Sequence, residues 1–294
     1  MILTDYLRLI RASHWIKNLF VFVPLVFSLK LFNPPYFYKS LLGFIAFGLA
    51  ASIVYIINDI KDIEHDRHHP KKKHRPLAAR KIPVKNAIAV IIILSAATAG
   101  IMTFLNLKFI LVVVAYLGLN TFYTFVTKNL VILDIFSIAA GFMLRVAGGT
   151  FVINVEASSW LILTTMFISL FLAVMKRASE MDMRITNENV STRKVLDHYS
   201  VRFIDQITNI SAGGVILSYT LYTISKRTVD IFHTEALIYT TPFVVFGIFR
   251  YMYLVYHKHQ GENTIEVLLT DAQTIVNSIL YITITLLVVY GVIH

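Results

Sequence analysis

Apolar residues run along this chain in nine blocks, at roughly 15–31, 38–58, 84–105, 108–126, 131–151, 158–175, 204–225, 236–256 and 271–292. A helix that crosses a bilayer needs about 20 apolar residues, within a range of about 17–25. The pattern therefore predicts an all-α, polytopic membrane bundle of about nine transmembrane helices, one integral-membrane domain over residues 1–294. The first block has charged residues before it and no small-residue cleavage pattern after it. It is read as a retained helix rather than a signal peptide. Two polar stretches interrupt the pattern, from Asn58 to about Pro83 and from Lys176 to about Phe203. Each follows an even-numbered span, a spacing that hints at two pseudo-symmetric halves.

Composition agrees with the blocks. Hydrophobic residues make up 56% of the chain and charged residues only 15%, against about 25% charged in soluble domains. The chain has no cysteine, which excludes disulfides, thiolate metal sites and a cysteine nucleophile. The formal charge is +10, and its distribution decides what it means. With the N-terminus in the cytoplasm, 20 of the 27 Lys and Arg fall in cytoplasmic segments and five in outer ones. Arg145 and Arg250 lie inside predicted spans. Membrane proteins keep Lys and Arg in their cytoplasmic loops, so the charge is orientation and no nucleic-acid partner is needed. Both long polar loops then face the cytoplasm, in a cell membrane crossed many times.

Three constellations carry candidate chemistry. Asn58, Asp59, Asp62 and Asp66 recur at i, i+3, i+4 and i+7 spacing, which lines one face of a helix. Crowded carboxylates repel one another, and clustered carboxylate and amide oxygens suit Mg²⁺. The plainer reading is a solvated acidic helix end paired with basic neighbours. The cluster extends an apolar helix at the membrane surface, where charge is costly and usually functional. That favours a metal site on Asn58, Asp59, Asp62 and Asp66, with the three carboxylates as the catalytic groups. Just downstream, Lys71-Lys72-Lys73-His74-Arg75-Pro76 is basic. It serves either as an orienting loop at anionic headgroups or as a phosphate clamp. Arg67, Lys73 and Arg75 are the candidates for the clamp. The third constellation is Lys176-Arg177-Ala178-Ser179-Glu180, which sets Lys176 and Glu180 at i, i+4, with Arg193 and Asp197-His198-Tyr199 beyond it. It is either a salt-bridged loop or the second half of a polar cavity facing the first loop. Lys17 follows Trp15 at the edge of the first span, as an interfacial anchor or an anion ligand. Arg145 lies in the fifth span, where an arginine faces the bundle interior or a polar cavity. It serves either in a pair with Asp134 or in substrate binding. No zincin, nucleophile-elbow or triad pattern occurs.

The acidic motif Asn58-Asp59-x-x-Asp62-x-x-x-Asp66 resembles the first acidic motif of the UbiA superfamily of intramembrane prenyltransferases. The nine-span layout, with polar loops after helices two and six, is similar as well. In that superfamily the motif holds Mg²⁺ and a diphosphate leaving group. Further stretches resemble its decaprenyl-phosphate phosphoribosyltransferase branch: Ser13-His14-Trp15-Ile16-Lys17-Asn18, His74-Arg75-Pro76-Leu77-Ala78-Ala79, Met175-Lys176-Arg177-Ala178-Ser179-Glu180, and residues 264–271. Many prenyltransferases carry a second Asp-x-x-x-Asp motif after helix six. Here that place reads Lys176-Arg177-Ala178-Ser179-Glu180, which is more cationic.

The resemblance implies two substrates, 5-phosphoribosyl 1-diphosphate from the cytosol and a polyprenyl phosphate from the bilayer. The product is a lipid-linked phosphoribose, with arabinan synthesis in the cell envelope as its implied use. The expected anion ligands are Lys17, Lys73, Arg75, Lys176, Arg177 and Arg193, with Arg67, Arg145, Glu180 and Tyr199 also at the substrate. A homo-oligomer is left open. One rival is prenyl transfer to an aromatic or other small acceptor. Another is a transporter, against which stands the scarcity of charge in the membrane interior.

Overall fold

The computed structural model describes residues 2–69, 72–186, 194–258 and 270–291. Every regular element among them is a helix. In chain order these are α1 (Ile2–Leu9), a 3-10 segment (Ala12–Phe22), α2 (Val23–Phe27), α3 (Pro34–Lys61), α4 (Ile63–Arg67), α5 (Val84–Met102), α6 (Leu107–Phe125) and α7 (Leu133–Val152). Then follow α8 (Ser159–Thr186), α9 (Val201–Ile224), α10 (Lys226–Phe232), α11 (Thr241–Lys258) and α12 (Ala272–Val289). Among the described residues seven helices are long and apolar enough to cross a membrane, and a pair bent by 45° near the N-terminus, Leu3–Leu9 with Ala12–Phe27, makes an eighth if counted as one span. Helix α9 is long enough, at 24 residues, but its first half carries Asp205, Gln206, Thr208 and Asn209. With it, all nine apolar blocks of the sequence correspond to helical elements. The protein is a multi-pass membrane protein.

The described residues form two compact units, one of residues 2–156 without 138–143, the other of 138–143 and the residues from 157 onward. In the first unit, α3 presents small residues, Ala46, Ala50 and Ala51, to a core of Val21, Leu25, Phe109, Val113 and Tyr116. Lipid tails are as apolar as leucine, so such helices associate by close packing, which small residues permit. Two glycines of α7 show how close. A Cβ on Gly148 would stand 2.5 Å from the Phe47 ring, and one on Gly149 would stand 2.3 Å from the Val21 carbonyl oxygen. Outward positions such as Ile92, Ile93, Leu111 and Val114 stay exposed, as a lipid-facing surface requires.

The first apolar block departs from a plain helix. Its eleven residues from Ala12 to Phe22 wind as a 3-10 helix, although such runs seldom exceed three or four residues. Packing holds the segment in place. Trp15 lies against Gly48, whose Cβ would come within 2.7 Å of the indole. Its Nε1 donates to Ser52 Oγ at 3.1 Å, and Ser52 Oγ lies 2.7 Å from the Ile10 carbonyl oxygen. Arg11, the residue that separates α1 from this segment, is left-handed, with φ 51° and ψ 49°.

In the second unit α8 and α9 pack closely, and a Cβ on Gly214 would stand 2.3 Å from the Phe167 ring. Asp271 caps α12 by accepting from the Thr274 backbone N–H at 2.9 Å.

Candidate active site

Helix α3 carries the acidic motif out of its apolar run and then stops. Asp62 is its C-cap, with φ −98° and ψ 11°, and α4 restarts at Ile63. The motif divides at that break. Asp59 and Asp66 are almost wholly buried, with 2% exposure each. Both face Arg75: one guanidinium nitrogen lies 3.1 Å from Asp59 Oδ1 and 2.6 Å from Asp66 Oδ2. Arg11 also pairs with Asp59. Asp62 instead takes the Lys128 ammonium at 2.7 Å. The sequence placed the carboxylates on one helix face, and the helix break gives Asp62 a different partner. The side-chain amide of Asn58 makes no hydrogen bond among the described residues.

Asp59 and Asp66 thus lie close enough to share one cation, and Arg75 stands between them. Mg²⁺ is typically held by one or two carboxylates, with waters and substrate phosphate oxygens completing its shell. Asp59, Asp66 and the Asn58 amide oxygen fit that requirement. Among the described residues no three His, Asp or Glu side chains gather into a ready-made metal cage. The fit is to a metal shared with a substrate.

A cavity of about 420 Å³ adjoins the pair, lined by Leu7, Arg8, Arg11, Ser13, His14 and Arg75 among others. Arg11 and Arg75 therefore reach both the carboxylates and the cavity. Arg8 is exposed and makes no ion pair among the described residues. Reading the sequence missed Arg8 and Arg11, because the positive-inside pattern already accounted for them. The break between α1 and the 3-10 segment has no periodic signature that would have singled them out.

The other sequence candidates divide. Arg67 pairs with the exposed Glu64 at 2.5 Å and lies 3.4 Å from the Ala78 carbonyl oxygen. Lys73 is exposed and Lys17 half-buried, and neither has an ion pair among the described residues. Arg145 is buried. Its Nε donates to Asn18 Oδ1 at 2.7 Å and a terminal nitrogen donates to the Tyr116 hydroxyl at 2.8 Å, ties that fasten α7 to the 3-10 segment and α6. In the second unit Arg177 is fully buried and pairs with Glu180 at i, i+3; the sequence pattern sets Lys176 on the same helix face as Glu180, at i, i+4. Lys176 is half-buried. Tyr199 is buried and stacks on Phe203 with ring centroids 6.0 Å apart. Arg193, Lys71 and residues 264–269 lie outside the described residues.

This integral-membrane helical bundle gathers paired carboxylates and arginines at a helix end. The chain belongs to the UbiA prenyltransferase family, whose model matches residues 19–268, and it is a transferase of that family. It is 32% identical to a decaprenyl-phosphate phosphoribosyltransferase of Corynebacterium glutamicum over 74% of this chain and 66% of that one. It is 30% identical to a decaprenyl-phosphate phosphoribosyltransferase of Mycolicibacterium smegmatis, over 76% of this chain and 72% of that one. Among solved structures, a UbiA homologue from Archaeoglobus fulgidus bound to GPP and Mg²⁺ superimposes with a TM-score of 0.70. At 16% identity, it covers 97% of this chain and 99% of its own.

Proposed function

We propose that this protein transfers the 5-phosphoribosyl group of 5-phosphoribosyl 1-diphosphate to a polyprenyl phosphate, releasing diphosphate, with Mg²⁺, at the cytoplasmic face of the cell membrane. The observation that carries this reading is the surplus of guanidinium groups around one buried carboxylate pair. Arg11 and Arg75 touch the pair, and Arg8 lines the adjoining cavity with no ion pair among the described residues. A prenyl diphosphate donor brings a single phosphorylated group. A phosphoribosyl donor and a lipid phosphate together bring three, and they need more cations to be held without mutual repulsion. The relatives named decaprenyl-phosphate phosphoribosyltransferase support the same choice. So does Lys176-Arg177 standing where many prenyltransferases carry a second aspartate motif.

In the reaction the bond from ribosyl C1 to the diphosphate oxygen breaks, and a bond from C1 to an oxygen of the lipid phosphate forms. Negative charge grows on the departing diphosphate. Mg²⁺ held on Asp59 and Asp66, with Asn58 beside them, would neutralise that charge. Arg75 and Arg11 pair with the carboxylates when these have no other counter-ion, and become available to phosphate oxygens when they do. Asp62 is the third carboxylate of the motif and is held by Lys128. The nucleophile is already ionised at neutral pH, so no side chain need act as a strong base. Arg145 keeps the 3-10 segment in place. Lys17 and Lys73 are further anion ligands in this reading.

The test is incubation of purified protein and Mg²⁺ with radiolabelled 5-phosphoribosyl 1-diphosphate and polyprenyl phosphate. Label should enter the lipid phase. Absence of lipid label, with consumption of a prenyl diphosphate and an aromatic acceptor, would assign the protein to prenyl transfer.

A further inference from the structure

Resting on the phosphoribosyl-transfer reading, we infer that the cavity between α1, the 3-10 segment and Arg75 is a second anion subsite, separate from the metal pair, that binds a phosphate monoester dianion. Arg8, Arg11 and Arg75 line it with Ser13 and His14, and among the described residues no carboxylate does. A concave wall of one sign focuses potential and draws in the opposite charge. Its volume of about 420 Å³ falls in the range of about 300–1,000 Å³ typical of small-molecule sites. A guanidinium carries five N–H donors. The contacts of Arg11 and Arg75 with Asp59 and Asp66 use only part of theirs, and Arg8 has no ion pair among the described residues.

The backbone supports the assignment independently. Arg11 holds a left-handed conformation, which is costly for a non-glycine residue and persists only where the surroundings enforce it. Here it turns the chain so that Arg8 and Arg11 border one cavity. Phosphate monoester dianions occur on both proposed substrates, as the 5-phosphate of the donor and as the headgroup of the lipid.

Arg8→Gln separates these sources. The side chain is exposed and has no ion pair among the described residues, so the variant should fold as the wild type does. Both proteins are reconstituted in phosphatidylcholine nanodiscs, which offer no anionic headgroup. Calorimetry then measures binding of ribose 5-phosphate and of a short polyprenyl phosphate, and kinetics gives KM for donor and acceptor. We expect Arg8→Gln to weaken one ligand by about five- to tenfold and to raise the matching KM equally, with kcat within about twofold, while Arg8→Lys restores part of the loss. A shift confined to ribose 5-phosphate and the donor assigns the subsite to the sugar phosphate. A shift confined to the polyprenyl phosphate assigns it to the lipid. Unchanged binding of both ligands overturns the subsite. If wild-type protein transfers no phosphoribosyl group but Arg8→Gln still weakens a phosphate ligand, the subsite stands and the proposed reaction falls.

Discussion

The first unit and the second both bury charge, and they do it differently. Around Asp59 and Asp66 the cations come from distant segments: Arg11 lies 48 residues before Asp59, and Arg75 lies 16 after it. Their guanidinium groups also line a cavity. In the second unit, Arg177 and Glu180 are one helical turn apart. Arg250 meets Asp271 as a fork, at 3.0 and 2.6 Å. Charge matched within a turn, or by a two-pronged fork, holds helices. Charge gathered from several segments, with donors left over beside a cavity, suits the ligand site proposed above.

The largest expected effect tests that contrast at the carboxylate pair. Asp59→Asn keeps the side-chain shape and removes the charge. Turnover in the radiolabel assay should fall by at least about 10²-fold, with unchanged helicity by circular dichroism. A variant with near-normal turnover would remove Asp59 from the chemistry. At Glu180 the expected loss is in stability. Glu180→Ala leaves the buried Arg177 guanidinium without this carboxylate, and breaking such a pair costs about 3 kcal/mol. Unfolding midpoints would register it. The double change Arg177→Met with Glu180→Leu should recover much of it, because an apolar pair removes both charges from the interior. A Glu180→Ala protein of full stability but lost activity would move that pair into the site.

A smaller effect is expected at the scaffold that carries Arg11. The Cβ of Gly48→Ala would meet the Trp15 ring at 2.7 Å, so the ring must shift and the 3-10 segment with it. Overpacking of this kind costs about 1–3 kcal/mol, and activity should fall alongside stability. Gly118→Ala, whose Cβ would meet nothing within 4 Å, should change neither.

Much of this architecture was legible in the chain. Apolar block length located the helices, because a bilayer sets one minimum length for all of them. The acidic cluster and Arg75 were legible because clustered carboxylates at a membrane surface need a reason. The division within the motif was not, since helical periodicity assumes that the helix continues past Asp62. Nor were the roles of Arg8 and Arg11. A residue that orients the protein in the membrane and one that binds an anion look alike in sequence, and only the backbone turn at Arg11 distinguishes them. The contacts of Arg145 with Asn18 and Tyr116 were hidden by distance, as Asn18 lies 127 residues away. Arg177 also meets Glu180, because both i, i+3 and i, i+4 neighbours share a helix face.

The smallest expected effect concerns pH, and it bears on the second unit alone. Arg250, and then the Thr274 hydroxyl and backbone N–H, hold the Asp271 carboxyl well below the usual carboxylate range. In the unfolded chain this group titrates near about 3.9. The folded protein therefore releases the proton more readily. The stability gained from ionised Asp271 is fully present above the unfolded value, and it is lost as pH falls through the lower folded value. Wild type should exceed Asp271→Asn in unfolding midpoint by a constant margin from about pH 8 down to about pH 5, and the margin should close in more acid solution. Because the pair sits at a helix end rather than in the interior, the margin itself should be modest. A margin that changed between pH 6 and 8 would mean that another titrating group governs this end of α12, and the pair would no longer stand as the helix-holding counterpart of the open site in the first unit.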